Sequence, residues 1–159
     1  MAAVRRVLVY WGNIPKTKRR ALQRLAEIED ELANLYDLQP AQLSGMPHGS
    51  EISDTTARRA AKAICSGKAL KREQNALQGT VQRLERDYDL IEREVMCLPP
   101  LQCEIITLRY CEYGYAKRDY WRKIAERVHT NPDYARQIER KGVRELTKHL
   151  SFPDTKVEI

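Results

Sequence analysis

The chain lacks most of what metal sites, disulfide scaffolds and membrane spans are built from. Its four cysteines, at 65, 97, 103 and 111, form no Cys-x-x-Cys pair, and His48, His129 and His149 do not fall at zinc-ligand spacing from them. They read as buried free thiols, so neither a metal nor any other cofactor is expected. No apolar run approaches the roughly 18 residues of a membrane span, and Val7-Leu8-Val9-Tyr10-Trp11 is too short for the apolar core of a secretory leader. Free thiols without an export signal fit a reducing cytoplasm and no membrane partner. No paired carboxylates, nucleophile–base pair or phosphate-cradling glycine loop is present, which argues against an enzyme. Glycine is sparse, with seven in 159 residues, and helix formers dominate. The expectation is an all-α chain, with room for one ordinary domain or two small ones.

What the chain does have is positive charge. The formal net charge is +6, and Lys117–Lys148 alone holds ten Lys or Arg against five Asp or Glu. A local basic face points to a polyanionic partner, most often DNA or RNA. The plainer reading is a solvated helical surface.

Hydrophobic spacing organises the rest. From Thr17, Leu22, Leu25, Ile28, Leu32 and Leu35 recur every three or four residues, an apolar stripe on one helix face. Pro15 fits just before that helix or in its first turn. Pro40 and Ser44–Ser50 end it in a loop. Asp54 looks like the N-cap of a second helix. There Leu77, Val81, Leu84, Tyr88, Ile91, Val95 and Leu98 hold a heptad register for three repeats, with Gly67 and Gly79 as points where the helix can bend. The two stripes predict a long antiparallel, coiled-coil-like helical hairpin over residues 1–97. The second helix is the longer, so part of its stripe needs cover from another subunit or from the C-terminal domain. A homo-oligomer through the hairpin is expected. Val4–Trp11 reads equally as a short strand or a helical turn, with Tyr10-Trp11 available to pack beneath the C-terminal helices.

Pro99-Pro100 breaks the second helix and marks the expected boundary of a domain over 98–150, followed by a frayed tail, 151–159. Leu101–Tyr113 resumes as a helix, with Gly114 supplying its left-handed end. After a connector at Tyr115–Arg118, Asp119–Leu146 reads as a helix-turn-helix. Asn131 is a good N-cap, Pro132 a favourable first helical residue, and Asp133 suits the helix dipole. Ile124, Ala125, Val128, Ile138, Val143 and Leu146 are the expected core. Asp133, Tyr134, Arg136, Gln137, Arg140, Lys141 and Arg144 are then left facing out. Gln137 can pair bidentately with an adenine edge, and Arg136 or Arg140 with a guanine edge or a phosphate. Arg122, Lys123 and Arg127 on the preceding helix would cross the backbone and hold register.

The segment Leu98-Pro99-Pro100-Leu101 through Leu108-Arg109-Tyr110, then Lys123-Ile124-Ala125 and Ala135-Arg136-Gln137-Ile138-Glu139-Arg140-Lys141-Gly142-Val143-Arg144-Glu145-Leu146, resembles the fourth conserved region of bacterial sigma factors. That resemblance covers about a third of the chain. It implies promoter recognition and contact with RNA polymerase. Pro132 and Tyr134 stand where housekeeping members carry DNA-contacting arginines, His129 replaces the usual turn glycine, and no promoter-melting region is present. The wider arrangement, with Met46–Ser50 leading to Ser53-Asp54-Thr55-Thr56, is similar to phage late-gene regulators of the ArpU/RinA type.

The resulting expectation is a sequence-specific, sigma-like transcription regulator of phage or prophage origin, binding double-stranded DNA in the cytoplasm of a bacterial host. Two competitors remain. A small-terminase-type packaging protein also joins a helix-turn-helix to oligomerising helices, and a coiled-coil adaptor would bind no DNA at all.

Overall fold

The computed structural model describes residues 1–36, 55–114 and 119–149, with side chains at 1–35, 64–114 and 119–149. The expected loop at Ser44–Ser50, the Asp54 cap, the Tyr115–Arg118 connector and the tail lie outside the described residues. Within them all regular structure is helical: α1 (Ala2–Tyr36), α2 (Thr55–Met96), α3 (Pro100–Thr107), a π-helical turn (Leu108–Glu112), α4 (Tyr120–Arg127) and α5 (Pro132–His149). The chain is all-α, as its composition predicts.

The largest departure from the sequence reading is at the amino terminus. Val4–Trp11 is neither a strand nor a lone turn, and Pro15 opens no helix. Both lie inside α1, which runs for 35 residues, or ~52 Å. Pro15 cannot donate to the carbonyl four residues back, a defect of about 3 kcal/mol in an exposed helix. Continuity survives because the preceding turns are pinned, with Leu8, Trp11 and Ile14 all buried. Fully burying one large apolar side chain contributes ~1.5–3 kcal/mol, so three outweigh the missing hydrogen bond. The buried line Val4, Leu8, Trp11 continues in phase to Ala21, Ile28 and Leu32. Leu22, assigned to the stripe, is one residue off that line and is exposed.

The chain divides into two compact units, Met1–Thr17 with Leu84–Ile159, and Lys18–Arg83. The helix break at Pro99-Pro100 is present, since α2 ends at Met96 and Pro100 opens α3. It is not where packing divides. Leu84, Ile91, Val95 and Leu98 share one core with Val4, Leu8, Trp11 and Ile14 of α1 and with Ile106, Tyr110, Val143 and Leu146. Trp11 packs on Tyr88 with ring centroids 5.9 Å apart, and the Tyr10 hydroxyl donates to Asp87 at 2.8 Å. The apolar heptads of α2 are thus covered partly by the first turns of α1.

Two glycines permit close helix approach. A Cβ on Gly12 would overlap the Tyr110 carbonyl, so α1 crosses the π-helical turn backbone to backbone. On Gly142 it would lie 2.8 Å from Ile106 Cδ1, which lets α5 press onto α3. The π-helical turn closes through the Tyr113 amide donating to the Leu108 carbonyl at 2.9 Å, and Gly114 follows at φ +64°. Nothing in the residue pattern announces that turn.

In the Lys18–Arg83 unit, Arg24 ties α1 to α2 by donating to Glu73 at 2.9 Å. It also meets Glu31 at 2.8 Å and Glu27 at 3.3 Å on its own helix. These carboxylates hold the guanidinium above its already high ordinary pKa. They sit in solvent, so the cluster fixes geometry more than it stabilises.

The cysteines correct another expectation. Cys65 and Cys97 are exposed, while Cys103 and Cys111 are half-buried; all four are free. Burial, with Glu92 and Glu112 nearby, pushes the Cys111 thiol up to about 12.

Candidate nucleic-acid interface

The corner between α4 and α5 is built from local chemistry. The Asn131 side chain accepts the Tyr134 amide at 2.7 Å and its carbonyl accepts the Ala135 amide at 3.0 Å, so it caps α5 while Pro132 begins the helix. His129 turns the chain at φ +52°, a conformation few non-glycine residues adopt. The Thr130 amide returns to the Ala125 carbonyl at 2.9 Å and closes the end of α4.

The packing face of α5 carries Ala135, Ile138, Gly142, Val143 and Leu146, all buried. Its first half meets Ile105, Leu108 and Ile124, with Val128, Tyr120 and Trp121 against them. Its second half joins the larger core of α1 and α2. Anchored in both cores, α5 has its outer face fixed in direction.

On that outer face every candidate named from sequence is exposed: Asp133, Tyr134, Arg136, Gln137, Arg140, Lys141 and Arg144, with Arg122, Lys123 and Arg127 on α4 also exposed. At ~100° per residue, Asp133, Tyr134, Gln137, Arg140, Lys141 and Arg144 fall within about 60° of one line along the helix. Lys148, absent from the sequence reading, extends the same line and is exposed.

These side chains divide into two groups. Arg136 lies on the flank, 3.0 Å from Asp133 and 5.9 Å from the Trp121 ring, while Arg122 pairs with Glu126 at 3.1 Å and Arg127 approaches Glu112 at 3.8 Å. Gln137, Lys123, Arg140, Lys141, Arg144 and Lys148 have no ion-pair or hydrogen-bond partner among the described residues. The free donors therefore concentrate on the middle and second half of α5.

The arrangement also depends on a residue the sequence reading passed over. Glu139 is 2% exposed, on the inner face of α5. Its carboxylate accepts the Tyr110 hydroxyl at 2.8 Å and Arg5 Nη2 at 3.1 Å, with Arg109 Nε at 3.8 Å. The Arg109 guanidinium lies 4.3 Å from the Tyr120 ring centre and 4.7 Å from that of Trp121, within the range of cation–π attraction. Burial, reinforced by the Glu139 charge, raises the Tyr110 hydroxyl well above the ordinary phenol range, so it stays a donor. The network joins α1, the π-helical turn, α4 and α5. One signal could have found it: helix phase puts Glu139 between Ala135 and Val143 on the apolar face, where a carboxylate requires partners.

Among the described residues no group of His, Cys, Asp or Glu is placed to hold a metal ion, and no helix is long and apolar enough to cross a membrane. No family model, curated protein or solved structure matches the chain.

Proposed function

We propose that the chain is a sequence-specific DNA-binding regulator of transcription in which α4 and α5 act as a helix-turn-helix. The observation that carries this reading is the exposed, partner-free stripe Gln137–Arg144 on a helix clamped by two cores. Helices of this kind enter the major groove. In the proposed mode the first half of α5 lies in the groove. Gln137 reads an adenine edge, Arg140 a guanine edge or a phosphate, and Lys141 and Arg144 neutralise backbone. Asp133 and Tyr134 lie at the groove entrance, and Arg136 flanks them. Lys123 crosses the backbone, with Arg122 and Arg127 joining if DNA draws them from Glu126 and Glu112.

The resemblance to sigma factor region four adds promoter action and contact with RNA polymerase, and the similarity to phage late-gene regulators adds a phage or prophage setting in a bacterial cytoplasm. In this reading α1 and α2 form the antiparallel hairpin and serve oligomerisation or polymerase contact. Selection from random duplexes with purified protein tests the proposal, with one enriched motif expected. Recovery of unenriched pools at moderate salt would refute it.

One observation favours a second reading. Leu22 and Ile64, in the Lys18–Arg83 unit, are exposed apolar side chains, as an oligomerising packaging protein of small-terminase type would have. A large ring by light scattering, with no effect on transcription, would select that reading.

A further inference from the structure

The basic excess of the chain has a second seat. From Met1 to Ala26 there are seven Lys or Arg and no Asp or Glu, which leaves 21 against 22 in the rest. The excess at Lys117–Lys148 is thus offset by the acidic middle of the chain, and the formal +6 equally reflects α1. The charge along α1 changes sign abruptly: Lys16, Lys18, Arg19 and Arg20 are followed by Glu27, Glu29, Asp30 and Glu31.

A merely solvated helix interleaves opposite charges at i,i+4. Here Lys16 and Arg20 are like charges at that spacing and repel. Three cations of α1 are otherwise engaged, Arg5 by Glu139, Arg24 by Glu27, Glu31 and Glu73, and Lys18. Lys16, Arg19 and Arg20 are exposed and have no ion-pair partner among the described residues. Lys16 lines a cleft of about 210 Å³ together with Val9, Gly12, Asn13 and residues Tyr110–Gly114. Glu112 in that cleft faces Arg127 of α4 at 3.8 Å. Lys16, where the run begins, therefore shares a cleft with the partner of Arg127. A membrane surface is a poorer fit, because surface-lying basic helices insert an apolar face, and that of α1 is buried at Leu8, Trp11 and Ile14.

We infer that the Lys16–Arg20 run of α1 is a second, sequence-independent contact for the phosphate backbone of duplex DNA. It rests on the DNA-binding reading and adds to it a surface that supplies affinity without selectivity. Each phosphate neutralised releases counterions and contributes about 0.9 to the slope of log affinity against log salt.

The test compares the full-length chain with Lys16→Gln/Arg19→Gln/Arg20→Gln and, separately, Arg140→Ala/Arg144→Ala, on a long duplex across a salt series. The triple variant is expected to keep its helical spectrum and its preferred sequence and to lose about two to three units of slope. An unchanged slope, with wild-type binding intact, overturns the α1 surface and leaves the α5 reading standing. Failure of the wild type to bind any duplex overturns both. Loss of binding to phosphatidylserine vesicles with an unchanged DNA slope would assign the run to a membrane instead and overturn the inference.

Discussion

Tyr110 donates its hydroxyl hydrogen to the buried carboxylate of Glu139 across 2.8 Å, joining the π-helical turn to α5. With Arg5 and Arg109 also directed at that carboxylate, the outer face of α5 is set by a polar contact as well as by apolar packing.

Glu139→Ala is expected to destabilise the chain by roughly 1.5–3 kcal/mol, the range for hydrogen bonds to a charged group. Arg5→Ala should lose less, since the Arg5 side chain is 39% exposed and water replaces part of the contact. Urea midpoints of the two variants measure the order, which the reverse ranking would contradict.

Glycine position decides the sign of a second pair. Gly12→Ala drives a methyl into the Tyr110 carbonyl, and overpacking of this kind costs about 1–3 kcal/mol. Gly79 lies in α2 with nothing near a built Cβ, so Gly79→Ala should stabilise by roughly 0.5–1 kcal/mol through helix propensity. Thermal melts of both variants read the opposite shifts.

Stability should fall at alkaline pH. The unfolded Cys111 thiol ionises near 9.0, whereas the folded one is pushed up to about 12. Between those values the unfolded chain releases a proton that the fold retains, so stability declines as pH rises through that window. Tyr110 acts in the same sense from its own ordinary value of 10.0 upward. Chemical denaturation at pH 8 and pH 10.5 should show the loss, smaller in Cys111→Ser. At neutral pH, maleimide should label the exposed Cys65 and Cys97 well ahead of Cys111.

Much of this was legible in the sequence. The Asn131-Pro132 start of α5, the inner positions Ile124, Ala125, Ile138, Val143 and Leu146, and the exposure of Gln137, Arg140, Lys141 and Arg144 follow from cap chemistry and a period of 3.6. What failed were long-range effects. Pro15 reads as a helix start because its local cost is plain, while the burial of Trp11 and Ile14 that outweighs it comes from the core they share with residues far along the chain, Ile91, Val95 and Leu146 among them. Helix phase puts Glu139 on the apolar face of α5, but its partner Arg5 lies 134 residues away and no local pattern names it. The π-helical turn leaves no periodic signature in five residues.

The unequal state of Arg136 on the flank and Arg140 within the stripe gives a further expectation. Arg136 is held by Asp133, while Arg140 is free. Arg140→Ala should weaken DNA binding more than Arg136→Ala, by about 1–3 kcal/mol if Arg140 reads a base. Fluorescence anisotropy at fixed salt ranks them.

The most direct trial of the central claim is the affinity of Gln137→Ala for a selected duplex and for its single-base variants. The account predicts relaxed discrimination at one adenine, by ~1–3 kcal/mol, with the other positions read as before. Identical discrimination by wild type and variant at every position would contradict it.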